Sequence, residues 1–237
     1  GLIVWGSDIS QPPPVVDAAL ATPVARQLVR DPALEIELIS ANTWTVNNCY
    51  ATHMQKDRVF IMGDAAHRHP PSNGLGSNTS IQDSFNLAWK LAAVVKGQAG
   101  PGLLETYSTE RAPIAKQIVT RANQSIAEFG PIFEALGMDG GVDPEKIQRN
   151  MAARCDATPA AEKQRDALRK AIEFKKYEFD CHGVEMNQRY RSAAAVTDGQ
   201  PEPAADRDME LHYQPTTWPG ARIPHVWVFD RHGAKHS

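Results

Sequence analysis

The residues best suited to chemistry lie between positions 58 and 90, in the run RVFIMGDAAHRHPPSNGLGSNTSIQDSFNLAWK. The short apolar run 58–62 predicts a strand buried on both faces. It delivers Asp64 at its C-terminal end, where ligands sit in α/β folds. A carboxylate there can accept hydrogen bonds from sugar or ribitol hydroxyls. The following loop carries Pro70, Pro71, Gly74 and Gly76, and its two glycines permit close backbone approach. A helix start follows at Ser77, Asn78 and Thr79. Free N–H groups and the helix dipole favour negative charge at such an end. The segment therefore presents a diol acceptor and an anion cradle one loop apart.

Competing chemistries fit these residues less well. Gly74-Leu75-Gly76 is not a GxGxxG turn, because Thr79 occupies the third glycine position. His67 and His69 alternate before two prolines, with Asp64 as the one nearby carboxylate. They read as structural or pocket-lining residues rather than metal ligands. Ser80 and Ser84 lack a nucleophile elbow, and Phe85 and Trp89 read as core. A flavin, by contrast, needs both halves of the segment. Its ribitol needs the acceptor, and its pyrimidine edge, anionic on reduction, needs the cradle.

The elements that must position this segment follow from periodicity. Residues 1–10 read as a strand, followed by a break at Gln11-Pro12-Pro13-Pro14. Residues 17–30 carry Leu20, Val24, Leu28 and Val29 at helical spacing despite Pro23. Residues 34–39 alternate apolar and acidic, and residues 43–50 are rich in β-formers, so both predict strands. Lys56-Asp57 predicts a turn. After the loop, Ile81, Phe85, Ala88, Ala92 and Val95 define one apolar helix face. Thr79 with Gln82 forms a capping box, and Gly97 is the expected C′ residue. Residues 103–129 predict one or two helices, with Pro113 as a kink or restart. Residues 131–195 read as mostly helical, 197–208 as a polar linker, and 226–229 as a strand.

Composition bounds the function. The chain has 237 residues, enough for a core, and its net charge of −3 argues against a general nucleic-acid binder. The basic residues at 163–176 alternate with Glu162, Asp166 and Glu173, as on a solvated helix face. Cys49, Cys155 and Cys181 are far apart and odd in number, which fits a reduced cytoplasmic protein without disulfide or zinc framework. No apolar stretch reaches membrane-spanning length. The chain begins at Gly1 in a strand-like run and ends soon after another, so it reads as a fragment of a longer protein.

The runs GDAAHRHPPSNGLGSNTSIQDSFNLAWKL and LLETYSTERAPIAKQIVTRAN resemble the class A flavoprotein aromatic monooxygenases, within them the phenol and 2,4-dichlorophenol hydroxylase branch. YEFDCHGVEMNQRYRS and YQPTTWPGARIPHVWVFD also resemble that branch. The resemblance implies an α/β (α+β overall) p-hydroxybenzoate hydroxylase-like fold that binds FAD. NADPH or NADH would reduce the flavin. O2 would add at C4a, and the resulting hydroperoxide would hydroxylate a phenol ortho to its oxygen, giving a catechol. It implies that Asp64 binds the ribitol and that Pro71 lies against the isoalloxazine near the substrate. Ser77 and Asn78 would offer N–H groups to the pyrimidine edge. Gly63, Gly74 and Gly76 would allow close approach, and positions 67–70 would wall the loop.

The resemblance does not extend to the family's opening strand–GxGxxG–helix unit or to the Asp-Gly motif with which it contacts both FAD and the nicotinamide cofactor. The N-terminal βαβ unit is therefore expected to be lacking, with the substrate-deprotonating residues mostly upstream. Residues 1–53 would be the tail of a substrate-covering sheet domain and 54–130 the C-terminal part of the FAD-binding domain. Residues 131–196 would form a helical segment, and 197–237 a linker into a thioredoxin-like domain. The isolated fragment is expected to be inactive and the parent enzyme homo-oligomeric. A polyketide-type hydroxylase of the same class, or a non-catalytic flavoprotein module, is the alternative.

Overall fold

The computed structural model describes residues 11–12, 14–43, 45–138 and 143–236. The expected strand at 1–10 lies outside them. The chain divides into two units, Gly1–Val46 and Asn47–Ser237.

The first unit contains one helix, α1 (Ala18–Val29). The Asp17 carboxylate caps its start by accepting from the Leu20 N–H at 3.0 Å. Arg30, at φ 60°, ends it in the left-handed conformation. The alternating residues 34–39 do not form the expected strand. Ile39 is 91% exposed, and no described strand pairs with the run. Alternation is a strand signal only where a ladder partner and an apolar layer exist.

The second unit is mixed α/β, with many helices and short strands. Among the described residues of the run 43–50, the strand is β1 (Cys49–Tyr50). It pairs antiparallel with β4 (His67–Arg68), Cys49 opposite Arg68. β2 (Gln55–Lys56) and β3 (Val59–Phe60) form a hairpin whose turn holds Asp57 at φ 53°. The expected doubly buried strand at 58–62 is thus corrected to a two-residue hairpin arm. Phe60 and Ile61 pack on a cluster of Met54, Ala66, Leu87 and Tyr107, but Val59 is exposed.

Helix α2 (Leu75–Val95) packs on α3 (Gly102–Ala127). Gly97, at φ 69°, closes α2 as expected. Its N–H donates to the Val94 carbonyl, and the Gln98 N–H donates to Ala93, which is the paired pattern of a Schellman ending. Pro113 does not interrupt α3, which runs through it as one helix.

The face of α2 that is buried is not the one periodicity selects. Ile81, Phe85 and Val95 are exposed, whereas Asp83, Asn86 and Lys90 are buried with Leu75, Thr79 and Leu87. Leu87 contacts Tyr107 and Ala112, while Leu75 clusters with Ile114 and Ile118. The helices therefore run antiparallel, with a polar layer between two small apolar clusters.

Beyond α3 the helical expectation holds, in α4 (Gly130–Ala135), α5 (Pro144–Ala153), α6 (Pro159–Phe174), α7 (Lys176–Phe179) and α8 (His182–Met186). Residues 197–208 carry no helix or strand. They are nevertheless tied down, because Glu202 pairs with Arg189 and Arg191. A terminal hairpin joins β5 (Val228–Phe229) to β6 (Lys235–His236).

Candidate functional site

β3 leads into a 3-10 turn, Gly63–Ala65, closed by the Ala66 N–H on the Gly63 carbonyl at 2.8 Å. Gly63 sits at φ 56°, and a Cβ there would meet Ser80 Oγ at 3.0 Å. Only glycine combines that conformation with that approach. The turn therefore rests against the second turn of α2 and holds Asp64 out to solvent. The Asp64 side chain has no hydrogen-bond partner among the described residues, so its carboxylate is available to a ligand.

The chain then passes through β4 to buried Pro70 and exposed Pro71. A second 3-10 turn, Ser72–Gly74, contains Asn73 at φ 65° and ends on Gly74 at φ 64°. These two consecutive left-handed residues swing the backbone directly into α2. The helix thus begins at Leu75, four residues before the expected Thr79. Thr79 is buried inside the helix, and Gln82 accepts from Arg111 at 3.3 Å instead of closing a capping box. The expected cap gives way to a loop-driven start.

Ser77 and Asn78 lie exposed on the first turn, and the Asn78 side chain donates back to the Gly74 carbonyl at 3.1 Å. N–H groups of a first turn have no intrahelical acceptors and carry the positive end of the dipole. A Cβ on Gly76 would meet His69 only at ordinary contact distance, 3.6 Å, so that glycine is not demanded by the protein's own packing. Gly63 and Asp64 thus stand on one 3-10 turn, Pro71 and Gly74 on the second, and Gly76, Ser77 and Asn78 on the helix start that both turns adjoin.

Beneath this surface lies a charged layer that periodicity did not single out. Asp83, fully buried, accepts from the Gly63 N–H at 3.1 Å, His67 Nε2 at 2.9 Å and Arg111 Nε at 2.7 Å. Burial pushes the Asp83 carboxyl up, but the His67 hydrogen bond, the Arg111 charge and the Gly63 amide outweigh it and hold the group below the usual carboxylate range. Arg111 continues outward to Tyr190 Oη at 3.0 Å and Gln188 Oε1 at 3.3 Å. His67 is therefore a structural link, as its position before the prolines suggested, and His69 stacks beside it.

Glu110 organises a second centre. It accepts from Lys90 Nζ and Asn86 Nδ2, both at 2.7 Å, and from Ser192 Oγ at 2.6 Å. Lys90 is fully buried, and burial pushes its ammonium below the usual lysine range against the opposing pull of Glu110. A signal for this layer was present. Asp83, Asn86 and Lys90 fall at i, i+3 and i+7, one helix face.

The mixed α/β fold that carries this site matches flavin-dependent monooxygenases of known structure. The crystal structure of the flavin-dependent monooxygenase PieE, in complex with FAD and substrate, superposes with a TM-score of 0.84 at 42% identity, covering 93% of this chain and 38% of that one. The FAD binding domain family matches residues 1–122, and the chain belongs to that family. It is 53% identical over its whole length to 2,4-dichlorophenol 6-monooxygenase of Delftia acidovorans, covering 40% of that protein. It is also 53% identical to phenol 2-monooxygenase of Pseudomonas sp. (strain EST1001), over 97% of this chain and 38% of that protein. The chain thus spans about two fifths of the length of the relatives it matches.

Proposed function

We propose that this chain is part of an FAD-dependent aromatic monooxygenase that hydroxylates phenol or a chlorophenol at the ortho position, giving a catechol, with NADPH or NADH and O2 as co-substrates. The observation that carries the reading is the 53% identity to 2,4-dichlorophenol 6-monooxygenase along the entire chain. The geometry supports the cofactor. A free carboxylate at Asp64, a left-handed turn into α2 and an exposed first helical turn at Ser77 and Asn78 match a flavin's ribitol and pyrimidine edge. FAD, when bound, supplies the redox chemistry that activates O2.

The chain's own residues bind and orient. Asp64 would accept hydrogen bonds from ribitol hydroxyls. The first turn of α2 directs N–H groups and dipole at the pyrimidine edge, an electrostatic arrangement fixed before reaction. Pro71 would lie against the isoalloxazine near the substrate. Gly74 and Gly76 would allow the cofactor close approach, and positions 67–70 would wall the loop. Residues 1–53 would be the tail of a substrate-covering sheet domain, 54–130 the C-terminal part of the FAD-binding domain, 131–196 a helical segment, and 197–237 a linker into a thioredoxin-like domain. Three unpaired cysteines fit action in the cytoplasm. No described helix is long and apolar enough to cross a membrane. A homo-oligomeric parent is expected.

The test uses the full-length protein. Phenol and 2,4-dichlorophenol are supplied with NADPH or NADH, and catechol products are measured by chromatography. Absence of catechol from both phenols, with flavin bound and reducible, sinks the substrate assignment. Asp64→Ala is expected to weaken FAD binding by about 1.5–3 kcal/mol, roughly 10- to 150-fold, as for loss of a charge-assisted hydrogen bond. Flavin titration checks it, and unchanged affinity would remove Asp64 from the site.

A further inference from the structure

We propose that Asn73 is a positioning residue through which the segment 176–190 sets the loop that carries Pro71 and the start of α2. The inference rests on the flavin reading of that loop and adds to it a part of the chain beyond residue 122, where the family match ends.

Asn73 is one of three described non-glycine residues at positive φ. Asparagine tolerates that region better than most residues, yet the conformation alone does not hold the loop. The side chain does. Asn73 Nδ2 donates to the Tyr177 carbonyl at 2.8 Å and the Glu178 carbonyl at 3.3 Å, and lies 3.4 Å from Cys181 Sγ. Both carbonyls belong to α7, a single helical turn whose last carbonyls have no intrahelical donors. A side-chain amide supplies what that helix end lacks. An aspartate of the same shape cannot, because it offers no donor.

The anchor is itself fixed. Lys175 Nζ donates to the Ser125 carbonyl of α3 at 2.6 Å, Tyr177 Oη to Asp208 at 2.6 Å, and the Val184 N–H to the Glu210 carbonyl at 3.2 Å. Cys181 and Val184 also pack with Leu75, Ile114 and Ile118. Segment 176–190 therefore grips the loop on both sides of Gly74, by hydrogen bonds at Asn73 and by apolar contact at Leu75. Displacing it would release the turn that points α2 at the ligand. Asn73 Oδ1 is buried with no partner among the described residues. An acceptor left unpaired is a cost to stability, which fits a residue kept for where its donor reaches.

Asn73→Asp and Asn73→Gly, made in the full-length protein, separate the roles. Aspartate keeps size and tolerance of positive φ but sets oxygens against carbonyls, and glycine keeps the conformation without the donor. Both are expected to speed hydrogen exchange at amides 73–78 in flavin-free protein by tenfold or more, with amides of α5 and α6 unchanged. Both are also expected to weaken FAD binding at least tenfold and to lower kcat more than they change the KM for phenol. Exchange at 73–78 within twofold of wild type, or flavin affinity within twofold, overturns the proposal. Global unfolding of both variants also overturns it, since that assigns Asn73 to the fold alone. The exchange comparison needs no flavin. A wild-type protein that takes up no FAD would refute the flavin reading, while the anchoring of the loop is judged separately.

Discussion

Asp83→Ala is expected to destabilise the protein by about 3–5 kcal/mol, the range for removing one partner of a buried charged pair. The substitution strips a fully buried carboxylate that joins three elements: the Gly63 turn, β4 through His67, and α3 through Arg111. Arg111, itself fully buried, keeps neutral acceptors at Tyr190, Gln188, Gln82 and the Thr79 carbonyl but loses its counter-charge. Urea unfolding of the full-length protein and the variant measures the difference. A loss under about 1 kcal/mol would mean that the layer is no more than an ordinary hydrogen bond.

The pH dependence has a definite sign. The folded-state pKa of Asp83 is depressed below its ordinary value of 3.8. On lowering pH, the unfolded chain therefore takes up this proton first, and the native state loses the contribution as pH falls from near 3.8 through the folded value. The wild type should lose more stability between about pH 5 and pH 3 than Asp83→Asn, which has no such proton to bind. Parallel curves would deny Asp83 a depressed pKa.

Glu110→Ala is the second large effect, also about 3–5 kcal/mol near neutral pH. It leaves three donors without their acceptor: Lys90 Nζ, Asn86 Nδ2 and Ser192 Oγ. The ammonium is the worst of these, because Lys90 is fully buried and already pushed down chiefly by burial. With Glu110 gone its folded pKa falls further, while the unfolded chain keeps the ordinary value of 10.5. Stability of the variant must then rise with pH across the window between the two, so its deficit shrinks toward alkaline pH. Adding Lys90→Met to Glu110→Ala removes the orphaned charge and should recover part of the loss. A double variant less stable than Glu110→Ala alone would contradict the buried-charge account. Urea curves across pH decide both points.

These two centres also explain what the sequence could not reveal. The existence of α2 and its end at Gly97 were legible, because each depends on neighbours in the chain. The inward face was marked only by the polar spacing of Asp83, Asn86 and Lys90, which a count of apolar residues passes over. Counting apolar residues selects Ile81, Phe85 and Val95, yet the structure buries Asp83, Asn86 and Lys90. Their satisfaction comes from Arg111 and Glu110, 20 to 28 positions away, which no local period records. Residues 34–39 failed in the opposite way, since their alternation is real but no described strand pairs with it. The turn at Gly63 and Asp64 was legible as punctuation after an apolar run. The role of Asn73 was invisible, because its first acceptor is 104 residues later.

The same asparagine has a chemical clock attached to it. Asn73 precedes Gly74, and in an Asn-Gly pair the glycine amide nitrogen can attack the asparagine side-chain carbonyl carbon, expelling ammonia. Hydrolysis of the resulting ring leaves aspartate or isoaspartate. Here the Asn73 amide is held on the α7 carbonyls, and the Gly74 N–H is engaged by the Pro71 carbonyl at 3.2 Å. The contacts that shape the loop thus also restrain its deamidation. Heat or partial unfolding frees both reacting groups, and the aspartate or isoaspartate then left at position 73 lacks the amide donor that holds the loop.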